Sequence, residues 1–521
     1  MADWADNIDT GDYGKSSRKF AGMVIDPLVF WPTALISLAV IAYSVAAPEQ
    51  SAKLFGDIRS WSTNTFDWFL MSAGNLLLLF CVVVALSPLG KIRLGGKGAT
   101  PDYSRMSWFS MLFGAGMGIG LVFYGVSEPV SHFTSAMAGG PAAPLGGAAG
   151  NAAAARDLAM AATIFDWALH PWAIFAVAGL AMALFAYDYG MPFSMRSAFY
   201  PLIGKAAWGR TGDVIEVLAV FATIFGLASS LGIGAQQAIA GVTFLYGIPS
   251  SSIAILVLIA IMSFITFLSV RGGIDRGIRI LSEANMVMAV VLVLFIMVTG
   301  PALALLGDLA RNSFLYLWNL PALSNPVGRE DLGFYRDWSV FYWAWWISWA
   351  PFVGTFMARI SLGRTVREFI AGAMIAPSVL GIIWLTVFGD ASIAAIVSGQ
   401  AADLGSASLE TQLFVLLKSL PLAQITSFAA VVLILVFFVT GWDSGTLVID
   451  TMTSGGRTDT PLRQKVFWLL AVGGIGVVLL LSGGLNSLQA GAIATGLPLA
   501  LILLAMCAGT LRGLLAIHRR Q

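Results

Sequence analysis

The amino-acid sequence predicts an all-α protein that crosses a membrane many times, and composition, span length and loop charge support this prediction. Hydrophobic residues occupy 58% of the 521 positions and charged residues only 11%, whereas soluble domains contain roughly 25% charged residues. So few charges cannot cover the surface of a soluble protein of this length. The excess apolar area is therefore expected to face membrane lipid.

Twelve apolar stretches reach the length of about 20 residues that a membrane-spanning helix needs. They occupy residues 26–47, 68–88, 107–131, 160–186, 214–246, 251–270, 280–306, 338–358, 372–397, 425–450, 464–483 and 487–511. An N-terminus in the cytoplasm assigns 22 of the 29 lysines and arginines to the inner side, with at least three in every inner loop. Cytoplasmic loops carry such an excess, so the pattern predicts twelve spans with both termini in the cytoplasm.

Composition and motifs argue against several functional classes. The formal net charge of +1 leaves no basic stripe for nucleic acid. The glycines at 95–98 lack the following Lys-Ser/Thr pair of a phosphate-binding loop. The three histidines are scattered, and we expect no cluster of Cys, His and carboxylate side chains with metal-ligand spacing. We therefore predict neither a nucleic-acid-binding protein, an ATP-driven pump nor an enzyme.

The third predicted span contains a dense glycine run, with Gly114, Gly116, Gly118 and Gly120 at alternate positions. Each glycine inside a helix costs about 1 kcal/mol relative to alanine. One interpretation is close helix packing through small residues. The other is a broken helix whose free amides and carbonyls meet an ion or an anionic group of a substrate. The density of glycines favours the broken helix.

Two spans carry aromatic stripes. In the eighth span, one arc of about 100° holds most of the aromatic residues, with Phe352 beside it: Trp338, Tyr342, Trp345, Trp346 and Trp349. In the fourth span, Trp167, Trp172 and Phe175 share an arc of about 140°. Each stripe alone is typical of core packing, and Trp338 also suits an interfacial belt. Two facing stripes predict a cage that binds a quaternary ammonium group.

Ionisable residues within spans are candidates for function. Asp443 in the tenth span is either an ion-coupling group or a structural acceptor. Glu128, which precedes Pro129, suits capping or gate packing better than coordination. His170, which precedes Pro171, suits a structural role better than a proton relay.

Three motifs resemble the betaine/choline/carnitine transporter family. They are GAGMGIGLVFYGVSEP at 114–129, DWALHPWAIFA at 166–176 and YWAWWISWAPFVGTFMARISLGRTVREF at 342–369, and the resemblance extends through all twelve spans. It implies two five-span repeats of inverted topology in a homotrimer of the bacterial inner membrane. The family moves trimethylammonium solutes, usually by sodium symport and sometimes by proton coupling or exchange.

The resemblance also divides the chain. It implies a cytoplasmic tail (1–25), two peripheral membrane helices (26–105), a first repeat (106–302), a periplasmic interfacial-helix linker (303–336), a second repeat (337–511) and a short cytoplasmic tail (512–521). Osmosensing members carry a long basic helix at the C-terminus. The short tail of this chain therefore predicts constitutive or weakly regulated uptake.

Carried over residue by residue, the resemblance implies a substrate site. The aromatic box comprises Trp167, Trp172, Trp346 and Trp349, with Trp345 lining the path and Phe175 where the family often has tyrosine. The carboxylate of the substrate would approach the backbone at Gly116, Gly118 and Gly120. Choline carriers driven by protons tend to have aspartate at the position of Gly120, so its absence favours a zwitterion such as glycine betaine.

The resemblance implies two sodium sites. One would use Gly114 and Met117 with Phe437, Thr440 and Gly441, although serine is common at the position of Gly441. The other would use Thr223 and Phe352, although a second threonine of the family is replaced by Leu227. The sequence predicts sodium-coupled uptake of a betaine-type compatible solute, with no cofactor besides the coupling ion. The alternative is proton-coupled or exchange transport of choline, carnitine, dimethylsulfoniopropionate or ectoine.

Overall fold

The computed structural model describes residues 3–5, 8, 17–116, 118–272, 277–299 and 302–520. Within them the chain forms seventeen α-helices and one short antiparallel hairpin, with β1 (Arg18–Phe20) paired to β2 (Met23–Ile25). The helices are α1 (Pro27–Ala46), α2 (Pro48–Leu86), α3 (Arg105–Gly116), α4 (Ile119–Ala138), α5 (Ala152–Trp167), α6 (Leu169–Tyr189), α7 (Tyr200–Ile203), α8 (Arg210–Tyr246), α9 (Ser252–Gly272), α10 (Gly277–Thr299), α11 (Ala302–Leu323), α12 (Leu332–Phe334), α13 (Phe341–Arg359), α14 (Val366–Val397), α15 (Gln412–Lys418), α16 (Ala423–Thr453) and α17 (Leu462–Arg520).

Eight helices in the described part of the chain are long and apolar enough to cross a membrane, or nine if the bent pair α10 and α11 is one span. The prediction of an all-α polytopic membrane protein is therefore confirmed. Each of the twelve predicted ranges overlaps a helix, and the last two both lie on α17. The backbone leaves helical geometry there at Gly483 and Gly484. The number of crossings stays a prediction.

The helices fall into an inner and an outer group. Helices α6, α8 and α13 are buried along most of their lengths. Helix α9, by contrast, exposes Ile253, Val257, Ile261, Phe264 and Leu268, whose spacing places them on one side of the helix. An apolar face without a protein partner is what lipid contact requires. The inner helices enclose the residues of the predicted site.

Two glycines bring α6 and α13 into backbone contact. A Cβ atom added at Gly354 would lie 2.9 Å from the amide nitrogen of Gly179, so no larger residue fits there. On another face of α13, a Cβ atom at Gly226 of α8 would lie 2.6 Å from Cδ1 of Trp349. The first approach holds α6 against α13, and the second holds α8 against α13 beside Trp349.

Two of the predicted spans are broken. The third predicted span divides between α3 and α4, where Gly118 has non-helical backbone angles (φ −139°, ψ −140°). The fourth predicted span divides at Ala168 (φ −96°, ψ −120°), between α5 and α6. Pro171 has no amide hydrogen to donate to the carbonyl of Trp167, which explains the second break. The sequence predicts the first break, whereas its single span over 160–186 misses the second.

Candidate functional site

Trp346 is the centre of a buried cluster of aromatic rings, here called the aromatic box. Its ring lies 5.0 Å from that of Trp345 in a stacked arrangement and 4.9 Å from that of Trp167 in an edge-to-face arrangement. Tyr342 stacks on it at 5.7 Å, and Phe175 meets it edge-on at 6.1 Å. These rings come from α5, α6 and α13. The structure therefore brings the two predicted stripes together.

The remaining predicted box residues lie at the margins of this cluster. Trp349 is half-buried, and its ring contacts those of Trp345 at 6.5 Å and Phe352 at 5.6 Å. Trp172 is buried and contacts Phe175 at 5.6 Å. Trp172 thus joins the box through Phe175. The π-faces of the box form an environment suited to a cation without a hydration shell.

Hydrogen bonds fix the orientations of the two central indoles. Nε1 of Trp167 donates to Oε2 of Glu128 at 2.7 Å, and Nε1 of Trp346 donates to the carbonyl oxygen of Asp166 at 2.9 Å. The hydroxyl of Tyr342 donates to the same oxygen of Glu128 at 2.5 Å. Glu128 is completely buried. Its role is therefore to hold two walls of the aromatic box, which agrees with the predicted gate packing.

The glycine run borders the box. A Cβ atom at Gly120 would lie 3.0 Å from Cη2 of both Trp167 and Trp345, so any side chain there intrudes between the two indoles. Within the part of the chain that the structure describes, a Cβ atom at Gly118, beside the helix break, would meet nothing within 4 Å. Gly114 and Gly116 belong to the last turn of α3, and Met117 lies outside the described residues.

A family model described as the betaine/carnitine/choline family transporter matches residues 28–518. This chain belongs to the betaine/carnitine/choline transporter family. Membership makes it a transporter and not an enzyme, as the sequence predicts.

Three named relatives are similar to this chain along nearly their whole length. Glycine betaine transporter 1 of Vibrio parahaemolyticus is 46% identical over 517 residues, which cover 98% of each chain. A glycine betaine/proline/choline transporter of the same organism is 45% identical over 493 residues, or 92% of this chain and 89% of the relative. A glycine betaine transporter of Bacillus subtilis is 39% identical over 490 residues, or 93% and 94%.

The residues of the first predicted sodium site come from regions that meet in the structure of this family member. A Cβ atom at Gly234 of α8 would lie 2.8 Å from Ile119, the first residue of α4, and 3.2 Å from Phe438 of α16. The break between α3 and α4 therefore adjoins the segment that holds Phe437, Thr440 and Gly441. Among the described residues, a Cβ atom at Gly441 would meet nothing within 4 Å.

The hydroxyls of the two threonines predicted to bind sodium are engaged within their own helices. Oγ1 of Thr440 donates to the carbonyl of Val436 at 3.0 Å, and Oγ1 of Thr223 donates to that of Ala219 at 2.9 Å. Their lone pairs stay available to a cation, because a hydroxyl donates one hydrogen and accepts at two sites. Phe352 is buried near Trp349. The sodium ligands stay predictions.

Two other ionisable residues have partners that indicate structural roles. Oδ2 of Asp443 accepts a hydrogen bond from Ser269 of α9 at 2.6 Å. Nε2 of His170 lies 3.0 Å from Oδ1 of Asn75 on α2. Asp443 thus joins α16 to α9, and His170 joins α6 to α2.

The expectation that the chain holds no cluster of histidine and carboxylate side chains at metal-ligand spacing is wrong. One ligand atom from each of Glu128, His132 and Asp166 lies within 4.8 Å of the others, and all three residues are buried. Glu128 and His132 are four residues apart on α4, which places them on one face of the helix. That spacing is visible in the sequence. The approach of Asp166 is not visible in the sequence, because it depends on how α4 packs against α5.

The site predicted from the sequence also omits Tyr342 and Tyr124. The ring of Tyr124 lies 5.5 Å from that of Tyr342 and 6.0 Å from that of Trp345. Tyr342 lies on the same predicted arc of α13 as the tryptophans, so helical spacing is a sequence signal that identifies it as a site residue. Tyr124 follows Gly120 by one helical turn, so its position beside the box follows from the placement of the glycine run.

Proposed function

We propose that this chain is a secondary active symporter that takes up glycine betaine, or a closely related compatible solute, together with sodium. The aromatic box is the observation that carries the proposal, because four rings from three helices contact the buried ring of Trp346. Rings arranged in this way attract a quaternary ammonium group by their negative faces. The solute must shed its water to enter, which suits trimethylammonium better than a small hydrated cation.

The break between α3 and α4 supports a zwitterion rather than a simple cation. Helix α4 is 20 residues long and begins at Ile119, and the amides at a helix N-terminus favour a negative charge. Among the described residues, none would contact a Cβ atom at Gly118, and Gly120 adjoins the box. A solute with its ammonium in the box thus has a partner for its carboxylate about one helical turn away.

The names of the relatives agree with this substrate. All three include glycine betaine, and one of them adds proline and choline. The box residue Phe175 offers a π-face without a hydroxyl, which suits the methyl groups of a trimethylammonium. We propose glycine betaine as the main substrate, with uptake serving osmoprotection.

The proposal includes the architecture that alternating access needs. Residues 106–302 and 337–511 would form two five-span repeats of inverted topology, preceded by two peripheral helices. The twelve spans would lie in the bacterial inner membrane with both termini in the cytoplasm, and three chains would form a homotrimer. The breaks in α3–α4 and α5–α6 support this architecture, because carriers of this kind bind solutes at discontinuous helices.

Sodium is proposed as the coupling ion. Ile119 at the helix break and Phe438 near Thr440 both lie against Gly234, which supports a shared ion site between the two segments. Carbonyl oxygens freed at such a break, together with a hydroxyl, are suitable ligands for a small hard cation. Proton coupling is the second candidate, because Gly441 stands where a hydroxyl ligand is common.

Transport by purified protein in proteoliposomes tests the proposal. An inward sodium gradient is expected to drive accumulation of labelled glycine betaine, and potassium in place of sodium is expected to abolish accumulation. A parallel set of vesicles with an imposed proton gradient and no sodium separates the two coupling ions. Equal accumulation without sodium would contradict sodium coupling, and no accumulation under either gradient would contradict betaine symport.

A further inference from the structure

Glu128, His132 and Asp166 form a compact group beside the aromatic box, here called the buried triad. One oxygen or nitrogen atom from each side chain lies within 4.8 Å of the other two. Glu128 and His132 come from α4, and Asp166 comes from the end of α5. None of the three is more than 1% exposed. The aromatic box does not require such a group, since Glu128 alone anchors Trp167 and Tyr342.

The triad has hydrogen-bonding capacity that the described residues leave unused. Oε1 of Glu128, both ring nitrogens of His132 and both carboxylate oxygens of Asp166 are buried without a well-formed hydrogen bond. Nε2 of His132 lies 3.4 Å from Oε1 of Glu128. The Asp166 carboxylate accepts at most one weak hydrogen bond, from the Ser339 hydroxyl. Buried polar atoms almost always have partners, so several unused ones in one place indicate a site for a ligand.

Charge points to the nature of this ligand. Two carboxylates lie close together here, and among the described residues neither Glu128 nor Asp166 forms an ion pair with a lysine or arginine. Arg329, whose charge reaches Asp166, is itself paired with Asp331 at 2.8 Å. Burial of an uncompensated charge is costly. A divalent cation would neutralise two ionised carboxylates beside a neutral imidazole.

The donor set selects among divalent cations. Imidazole nitrogen together with carboxylate oxygen suits zinc and similar transition metals, whereas magnesium and calcium prefer oxygen alone. In a tetrahedral zinc site the ligand atoms lie about 3.4 Å apart, which the pair of Glu128 and His132 already matches at 3.4 Å. The Asp166 carboxylate supplies the third ligand atom, within 4.8 Å of the other two.

The neighbours of the triad hold two of its side chains in place. The ring of His132 packs edge-on against Trp338 at 4.7 Å and Phe334 at 5.1 Å. Trp167 and Tyr342 both donate to Oε2 of Glu128, so Oε1 is left facing His132. Hydrogen bonds of this kind orient the ligands of metal sites. Packing and hydrogen bonds therefore fix the orientations of His132 and Glu128 independently of a bound cation.

We propose that the buried triad is a binding site for one divalent transition-metal ion of the zinc class. The metal bridges α4 and α5 and is bound by Oε1 of Glu128, whereas Oε2 anchors the rings of the aromatic box. The proposal does not depend on the transported solute, because metal binding is measured without transport.

Direct binding to the purified full-length protein tests the site. After treatment with EDTA and removal of the chelator, zinc chloride is titrated against a fluorescent zinc indicator in detergent. We expect one zinc ion per chain, and at least a tenfold weaker affinity in His132→Gln and in Asp166→Asn. His170→Gln is the matched control, since His170 is equally buried but is bonded to Asn75, and it is expected to bind zinc as the wild type does.

Thermal unfolding gives a second readout that does not depend on the indicator. Zinc chloride is expected to raise the melting temperature of the wild type and of His170→Gln, and magnesium chloride is expected to leave it unchanged. Absence of stoichiometric zinc binding by the wild type would overturn the proposal, whether or not the variants fold. Equal zinc affinity in His132→Gln and His170→Gln would also overturn it.

Discussion

Trp346→Leu is expected to weaken the binding of glycine betaine by about 30-fold. Trp346 is buried and its ring contacts those of Trp167, Trp345, Tyr342 and Phe175, so an ammonium group beside it is desolvated. A desolvated cation–π contact is worth about 2 kcal/mol. At 25 °C this free energy corresponds to about a 30-fold change in the dissociation constant.

The indole of Trp346 also donates a hydrogen bond to the carbonyl of Asp166 at 2.9 Å, and this bond contributes to folding rather than to substrate contact. Its net value is about 1 kcal/mol. Trp346→Phe separates the two effects, because phenylalanine keeps a π-face and loses the donor. We expect Trp346→Phe to retain most of the affinity while lowering the melting temperature.

The assay is the apparent KM for uptake of labelled glycine betaine in proteoliposomes at saturating sodium. Trp343→Leu is the matched control, since Trp343 lies on the same helix, is fully buried, and packs instead against Phe165 at 4.9 Å and His170 at 5.1 Å. We expect an unchanged KM in this variant. A KM for Trp346→Leu within twofold of the wild type, or an equal rise in both variants, would refute the role of the aromatic box.

Three further predictions follow from the same contacts. Gly120→Asp is expected to reduce uptake of glycine betaine by more than tenfold and uptake of choline by less, because the new carboxylate between Trp167 and Trp345 repels that of betaine; equal losses of both substrates would contradict this. Thr440→Ala is expected to raise the sodium concentration for half-maximal uptake several-fold, and an unchanged sodium dependence would argue against a ligand role. Ser269→Ala removes the hydrogen-bond donor to buried Asp443 and is expected to lower the free energy of unfolding by about 1–3 kcal/mol. The measurement is the melting temperature, and an unchanged melting temperature would contradict a stabilising role for this hydrogen bond.

Much of the site is predictable from the sequence because it depends on helical spacing alone. Residues three and four apart on a helix share a face, so helical periodicity suffices to group Trp345, Trp346 and Trp349 of the eighth predicted span. The glycine run predicts the break at Gly118 for a similar local reason. Neither inference needs knowledge of what packs against the helix.

The breaks and bonds that shape the site are harder to predict. The break at Ala168 has a local signal in Pro171, but an apolar stretch of 27 residues over 160–186 is also compatible with one continuous helix. Glu128 can be assigned to packing, yet its two donors lie 39 and 214 positions away in the chain. Such partners become neighbours only when α4, α5 and α13 pack together.

The sequence by itself determined that this protein is a many-helix membrane transporter with aromatic residues on facing stripes, because composition, periodicity and motif are local properties of the chain. The tertiary structure decided which rings meet around Trp346, and that Glu128 and the carbonyl of Asp166 hold three rings of the box. It also decided that His132 lies beside both carboxylates. The physical reason is that side-chain directions depend on helix breaks and close backbone approaches, such as that of Gly179 and Gly354, and these arise from packing between distant segments.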